Sequence, residues 1–294
     1  MFFLDYKNKA KAMGIDPNLY ELQGIEYLML QLNVWFAVFT LDTMRYLIAA
    51  TVTSLVLYKF LNAWSQSRKI QTRAASKADI RREVFFSLLT TSIYGFVAVF
   101  VIYAMSHGYL KIYENVEDHG WAYTLLSLPL LLLLHDTYFY FAHRSMHHPK
   151  LFKWFHKIHH LSRTPTPWAA YSFGPGEAFV MSAFVPFMLW AIPIHGSVLF
   201  TFVAIQIFRN AQGHSGIEFH HHKWVDSPLD VFTTTTHHDM HHQKVKGNYG
   251  LYFTWWDRIL GTELPGYKDE FRRIVNQNRQ EAADGAQGSM PSNS

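Results

Sequence analysis

Residues 135–148 read His135-Asp136-Thr137-Tyr138-Phe139-Tyr140-Phe141-Ala142-His143-Arg144-Ser145-Met146-His147-His148. The apolar run Leu130 to Leu134 leads directly into them, so a hydrophobic helix ends in a cluster of imidazoles. Residues three or four apart on a helix share one face, with β-carbons about 5–6 Å apart, which makes His143 and His147 a ligand pair. Working outward, His156-Lys157-Ile158-His159-His160 follows, then a solitary His214, then His238-Asp239-Met240-His241-His242. His-x-x-His-His thus occurs twice, and this spacing predicts two further clusters beside the first.

Nine imidazoles can then converge on one space. Neutral imidazole suits iron, zinc, copper or nickel, and nine donors exceed what one ion of four to six positions can use. Two metals is the economical reading. The competing readings are chance clustering on the surface or a metal-chelating tract such as His220-His221-His222, but a tract has no fixed spacing.

The chain of 294 residues contains no cysteine. Iron–sulfur clusters, thiolate zinc sites, thiolate-ligated haem and disulfides are therefore excluded, and any metal is held by nitrogen and oxygen. Aromatic residues make up 17% and charged residues 16%, against roughly 25% charged in soluble domains, which points to a membrane protein. The net charge of +4 is concentrated in Arg68, Lys69, Arg73, Lys77, Arg81 and Arg82, between two apolar stretches. That setting favours a juxtamembrane loop over a nucleic-acid surface, and no nucleic-acid partner is expected.

About 20 apolar residues cross the roughly 30 Å hydrocarbon layer as a helix. Four stretches approach that length: Tyr46 to Trp64, Val84 to Met105, Trp121 to Phe141, and Ala178 to Phe208. The last is broken at Pro186, Pro193, His195 and Gly196 and reads as a helical hairpin. Residues 17 to 44 read as interfacial or helical packing, and Met1 to Ile15 lacks the apolar core of a signal peptide. Alternating crossings put basic loop 65 to 83 on one side and the acidic loop with Glu114, Glu117 and Asp118 on the other. By the positive-inside rule the basic loop, and with it every histidine cluster, faces the cytoplasm. The expected architecture is all-α: a membrane stem of about four transmembrane helices carrying a cytoplasmic, histidine-rich di-metal cap. One domain spans 1–275 with its catalytic core at 135–262, and a polar tail, 276–294, is expected to be disordered.

Taken together, the stretch from His135 to His148, His156 to His160, Asn210-Ala-Gln-Gly-His214, His237 to His242, Gly247-Asn248-Tyr249-Gly250 and Trp256-Asp257-Arg258-Ile-Leu-Gly261-Thr262 resemble the fatty acid hydroxylase and sterol desaturase superfamily of membrane di-iron enzymes. Pro165-Thr166-Pro167-Trp168-Ala169-Ala170 and Gly108-Tyr109-Leu110-Lys111 look most like its sterol C5-desaturase branch. The resemblance implies a site of two Fe ions, with Zn as a substitute in purified protein, and O2 as co-substrate. It further implies a lipid substrate, a sterol first, and an electron donor such as cytochrome b5 or a ferredoxin with its reductase, in the inner membrane or the endoplasmic reticulum. Carried over residue by residue, the metal ligands and catalytic residues are His143, His147, His156, His159, His160, His214, His238, His241 and His242. Gly174-Pro175-Gly176-Glu177 departs from the many members that place a histidine before Pro-x-Glu, which puts a ligand or substrate role for position 174 in doubt.

Ligating imidazoles usually donate their second ring N–H to a carboxylate or carbonyl. Asp136, Asp239 and Asp257 are the candidates to receive it; their competing roles are a cap or a pair with Arg144, exposure to water, and a pair with Arg258. His135 reads as a lining residue rather than a tenth ligand. Tyr138, Tyr140, Trp168, Tyr171 and Phe173 offer aromatic surface to a flat substrate, or else are core. Fatty acyl or carotenoid hydroxylation is the alternative within the superfamily, and a membrane zinc hydrolase or a haem-binding electron-transfer protein the alternative outside it. The first lacks a His-Glu-x-x-His motif and the second needs histidines at membrane depth.

Overall fold

The computed structural model describes residues 24–288, with side chains through 277. The expectation for Met1 to Ile15 lies outside this range. The described residues are mainly helical: α1 (Gly24–Ser54, continued by a π-helical turn Leu55–Phe60), α2 (Asn62–Gln66), α3 (Lys77–Ser106), α4 (Gly120–Met146) and α5 (Pro149–Phe155). There follow α6 (Pro175–Ser182), α7 (Phe184–Ala191), α8 (Gly196–Gly213), α9 (Thr235–Lys244), α10 (Trp255–Ile259) and α11 (Tyr267–Gly288). Two-residue strands β1 (Ile112–Tyr113) and β2 (Ile194–His195) pair in parallel.

Three helices are long and apolar enough to cross a bilayer: Gly24–Phe60, Lys77–Ser106 and Gly120–Met146. A shorter apolar helical stretch covers Pro175–Ala191. Large apolar side chains stand exposed along all three long helices, among them Phe36, Phe96 and Leu125. Water would not tolerate so much contiguous apolar surface, whereas lipid covers it at no cost. The molecule is an integral membrane protein.

The first span begins earlier than expected. Asp42, within the stretch 17 to 44 that reads as interfacial or helical packing, pairs within α1 with Arg45 at 2.7 Å, and the helix runs unbroken through it. At the other end, the polar tail expected from Asn276 is helical in backbone through Gly288. Its Arg, Gln, Glu and Ala residues are good helix formers and extend a helix already anchored by buried Phe271 and Ile274.

The stem packs around small residues. Ala49, Ala50, Ala170, Ala178 and Ala211 are fully buried between Tyr46, Met146, Tyr171 and Ile207, the composition that lets membrane helices approach closely. Tyr46 ties α1 to the 3-10 turn Pro167–Tyr171 by donating to the Trp168 carbonyl at 3.0 Å.

The two ends of the stem differ in chemistry. At one end, β1 and β2 join the acidic loop to the tip of the α7–α8 hairpin, and His195 Nε2 donates to the Glu114 carbonyl at 2.9 Å. At the other, basic loop 65–76 packs on the histidine region. Arg68 reaches the His220 carbonyl at 2.7 Å, Gln71 the Asp239 carboxylate at 2.9 Å, and Ile70 N the Gly216 carbonyl at 3.0 Å. The basic loop and the histidines therefore share one face, as the alternation of crossings required.

Candidate metal centre

Two groups of histidines form at the end of the stem. His143, His147, His156, His160 and His241 make the first, and His159, His214, His238 and His242 the second. Within each group the potential ligand atoms all lie within 4.8 Å of one another. All nine residues singled out from the sequence are here.

Their distribution differs from the expectation in one respect. The His-x-x-His-His motifs do not each serve one cluster; the structure splits both. His156 and His160 join the first group while His159 turns to the second, because α5 ends at Phe155 and residues 159–161 form a 3-10 turn instead of continuing the helix. On α9, His238 and His242 are four apart and share a group, and His241 points to the other. The motif is a bridge between two sites.

The ring nitrogens divide their work. Nδ1 donates to a backbone carbonyl in His143 (Tyr249, 2.9 Å), His214 (Asn210, 2.7 Å), His241 (Gly247, 2.6 Å), His242 (Ser162, 3.0 Å) and His159 (Ser172, 3.4 Å). His156 Nδ1 donates to Glu177 Oε1 at 2.8 Å, and His147 is held by the Val245 backbone. A carbonyl can only accept, so Nδ1 carries the proton and Nε2 presents a lone pair.

Those lone pairs face each other. In the first group His143 and His156 approach Nε2 to Nε2 at 2.9 Å, His160 and His241 at 3.0 Å, and His147 and His160 at 3.1 Å. In the second, His214 stands 3.0 Å from His238, 3.2 Å from His242 and 3.3 Å from His159. Converging lone pairs repel unless a cation lies between them. Ligand nitrogens at bonds of about 2.1 Å around one ion sit ~3 Å from their neighbours when bound at right angles. The donor sets fit a nitrogen-ligated metal in each group.

Burial keeps these rings neutral. It lowers the pKa of His156, His159, His160, His238, His241 and His242 well below the ordinary value, assisted in each by neighbouring imidazoles. His147, the half-buried member, and His214 fall to about 4, again by burial.

The turn after α9 is shaped for the site. Val245, Gly247 and Asn248 all have positive φ, a conformation that a β-branched residue such as Val adopts only under constraint. A Cβ on Gly247 would lie 2.7 Å from the Thr262 carbonyl, so only glycine lets this turn close and bring its carbonyl to His241. Asp257 secures the same loop, accepting from the N–H groups of Tyr249 and Gly250, both at 2.8 Å, and from Thr262 Oγ1 at 2.7 Å.

None of the three expected aspartates receives a proton from a ligand ring. Asp257 acts through the Tyr249 loop and not through a pair with Arg258, which instead reaches Asp230 and Glu263. Asp136 gathers the N–H of Leu251, Tyr252 and Phe253 and the Trp255 indole. Asp239 is buried, not in water, and accepts from Gln71 and Gln243. The carboxylate that does touch a ligand ring is Glu177, which the sequence reading passed over. Its signal was its place in Gly-Pro-Gly-Glu, at the first turn of α6. At Gly174, just before it, a Cβ would lie 3.0 Å from Ile158 Cδ1, so a side chain there would have to displace Ile158.

His135 stays outside both groups, hydrogen-bonded through Nδ1 to the Tyr252 hydroxyl at 3.0 Å and packed on Phe184 and Phe202. Phe173 stands 5.3 Å from the His159 ring with Tyr171 behind it. Tyr140 and Trp168 lie further off, Tyr140 bonded to Thr262 and Trp168 packed on Tyr46. A separate cleft of about 350 Å³ opens between α4, α8 and the cap, lined by other residues: Leu132, Ile205, Arg209, Gln212, Phe232 and Phe253 among them.

The sequence profile of the fatty acid hydroxylase family matches residues 128–262, which contain every one of these histidines. This segment is similar to the fatty acid hydroxylase family. Among similar proteins, a Delta(7)-sterol 5(6)-desaturase of Gibberella zeae is 30% identical over 187 residues, 63% of this chain and 56% of the relative. Lathosterol oxidase of Rattus norvegicus is 30% identical over 189 residues, 63% of this chain and 62% of the relative. Methylsterol monooxygenase 1 of Rattus norvegicus is 30% identical over 162 residues, 52% of this chain and 53% of the relative. The chain spans less than two thirds of the length of each of these relatives. No solved structure matches the chain.

Proposed function

We propose that this protein is a membrane oxidoreductase that uses O2 and an external electron donor to desaturate or hydroxylate a lipid, with a sterol as the favoured substrate. The observation that carries the reading is the convergence of nine neutral histidines in two nitrogen-only groups on a membrane stem. Similarity to proteins named as sterol desaturases and a methylsterol monooxygenase supports the substrate class.

Bound in the two groups, iron would supply the oxygen chemistry needed to attack an unactivated C–H bond, which no amino-acid side chain carries. In desaturation the lipid loses two hydrogens and O2 leaves as two waters, with two electrons and two protons from outside; in hydroxylation one oxygen atom stays on the lipid. The chain's own contribution is positioning. In six of the nine rings the Nδ1 acceptors, five carbonyls and the Glu177 carboxylate, fix ring orientation and leave Nε2 to the metal. Burial excludes water and keeps the imidazoles unprotonated, and Phe173 and Tyr171 offer a flat apolar wall beside His159. The basic loop that packs on the histidine region supports a cytoplasmic active site, within reach of a soluble or membrane-bound donor such as cytochrome b5 or a ferredoxin.

The test is incubation of the iron-loaded protein in detergent with NADH, a cytochrome b5 with its reductase, and Δ7-sterols or fatty acyl lipids, with product analysis by mass spectrometry. Oxygen-dependent loss of two mass units or gain of sixteen from the sterol supports the reading. Conversion of acyl lipids alone would move the substrate class, and hydrolysis without O2 would move the reaction class.

A further inference from the structure

Glu83, Ser87 and Thr90 follow one another on α3 at intervals of four and three, which puts them on one helix face. All three are fully buried, although this helix is long and apolar enough to cross a bilayer. Their partners lie in one segment, the strap 161–173 that follows His160. Arg82 Nη2 donates to the Leu161 carbonyl at 3.1 Å, and Glu83 Oε2 accepts from Thr166 Oγ1 at 2.5 Å. Ser87 Oγ donates to the Trp168 carbonyl at 3.1 Å and Thr90 Oγ1 to the Phe173 carbonyl at 3.5 Å. A carboxyl within a membrane span is costly and is kept for a function. Arg82, whose charge reaches Glu83, is itself paired with Asp79 at 2.9 Å.

The strap in turn carries acceptors that orient the second histidine group. Its Ser162 carbonyl takes the Nδ1 proton of His242 at 3.0 Å, and its Ser172 carbonyl that of His159 at 3.4 Å. Its Ala170 carbonyl accepts from Asn210 Nδ2 at 2.5 Å, while the Asn210 carbonyl takes the Nδ1 proton of His214 at 2.7 Å. Three of the four rings of that group are thus set by the strap or tied to it. The first group draws acceptors from Tyr249, Gly247 and Glu177, all outside the strap. Glu83 is the link between stem and strap that stands nearest a ring acceptor. The Ser162 hydroxyl lies beside its carboxyl, and Glu83 Oε1 and Ser162 Oγ are both buried with no other partner among the described residues.

We propose that Glu83 is a positioning residue for the second histidine group, holding the strap through Thr166 and Ser162 so that the Ser162 and Ser172 carbonyls aim the His242 and His159 rings. The inference rests on the two-metal reading above and adds a residue of the membrane stem that acts on one metal position and not on the other. Glu83 touches no ligand ring; its effect passes through the strap.

The experiment is anaerobic Fe2+ titration of the metal-free full chain in detergent, with each metal position isolated by a ligand variant. In His241→Ala, which keeps the second group, adding Glu83→Leu should weaken the remaining ion by about tenfold or more, the usual cost of losing the support of a ligand. In His159→Ala, which keeps the first group, adding Glu83→Leu should leave the affinity unchanged. Glu83→Gln keeps an acceptor for Thr166 and should recover most of the loss. Thr166→Val removes the hydroxyl that Glu83 holds and should weaken the second group in the same selective way, which provides the comparison where Glu83→Leu does not fold. Equal weakening in both backgrounds would reduce Glu83 to general support of the fold, and unchanged affinity in His241→Ala would remove it from the site; either overturns the proposal with the two-metal reading intact. A wild type that binds no Fe2+ overturns that reading and the proposal together.

Discussion

His156 Nδ1 donates to Glu177 Oε1 across 2.8 Å, with both side chains only 2% exposed. His156 belongs to the first histidine group, and its Nε2 lies 2.9 Å from that of His143. Glu177 thus sets the tautomer and orientation of a ring whose far side faces the metal position. Removing such a partner typically costs about 10- to 100-fold in metal affinity or activity. Glu177→Gln should show a loss of that size in iron titration of the metal-free protein, while Glu177→Asp recovers part of it. Unchanged affinity in Glu177→Gln would reduce this contact to simple packing.

The assignment of residues to two groups makes a divided prediction. His241→Ala should lower metal at the first group and His159→Ala at the second, so each variant retains about one ion per chain and neither retains activity. His195→Ala, at the distal loop, should change neither bound metal nor turnover. Elemental analysis and product formation on the same samples check this, and full activity in either ligand variant would remove that residue from the site.

Spacing made part of this site legible and concealed the rest. Pairs four apart, His143 with His147 and His238 with His242, were readable as shared faces, and each pair does share a group. His159 could not be assigned because the break at Phe155 and the 3-10 turn after it interrupt the helical spacing, and His241 could not because one regular helix, α9, feeds both groups. Glu177 was obscured by its distance along the chain from His156. The carbonyls of Gly247 and Tyr249 were invisible for a different reason: every residue has one, and only the left-handed turn from Val245 to Asn248 aims these two. The stem was legible from its apolar runs, except at the start of the first span, where polar positions mix with apolar ones and Asp42 pairs with Arg45 inside α1.

Acid should destabilise the metal-free protein. Burial depresses the pKa of His147 and His214 to about 4 and lowers the buried ligands further, whereas an unfolded histidine titrates near 6.5. Below that value the unfolded chain binds protons that the folded chain refuses, so stability is full above about pH 6.5 and is lost progressively as the pH falls toward about 4. Thermal unfolding of metal-free protein across this range should show the melting temperature falling with pH. A flat profile would mean the rings are not buried neutral.

Asp136 is fully buried and joins the end of α4 to the cap through the N–H groups of residues 251–253 and the Trp255 indole. Asp136→Ala strands these donors, and the expected loss of stability is on the order of 3 kcal/mol. Denaturant unfolding in detergent measures it. Since Asp136 touches no ligand ring, metal stoichiometry of the fraction that folds should stay at the wild-type value; a selective loss of metal at unchanged stability would contradict the structural role.

The most direct test of the two-group site is metal analysis of anaerobically purified, iron-reconstituted protein together with its optical and Mössbauer spectra. The account predicts close to two irons per chain in nitrogen-rich environments, with no haem Soret band. A saturating stoichiometry of one ion per chain, or a Soret band that accounts for the iron, would contradict it.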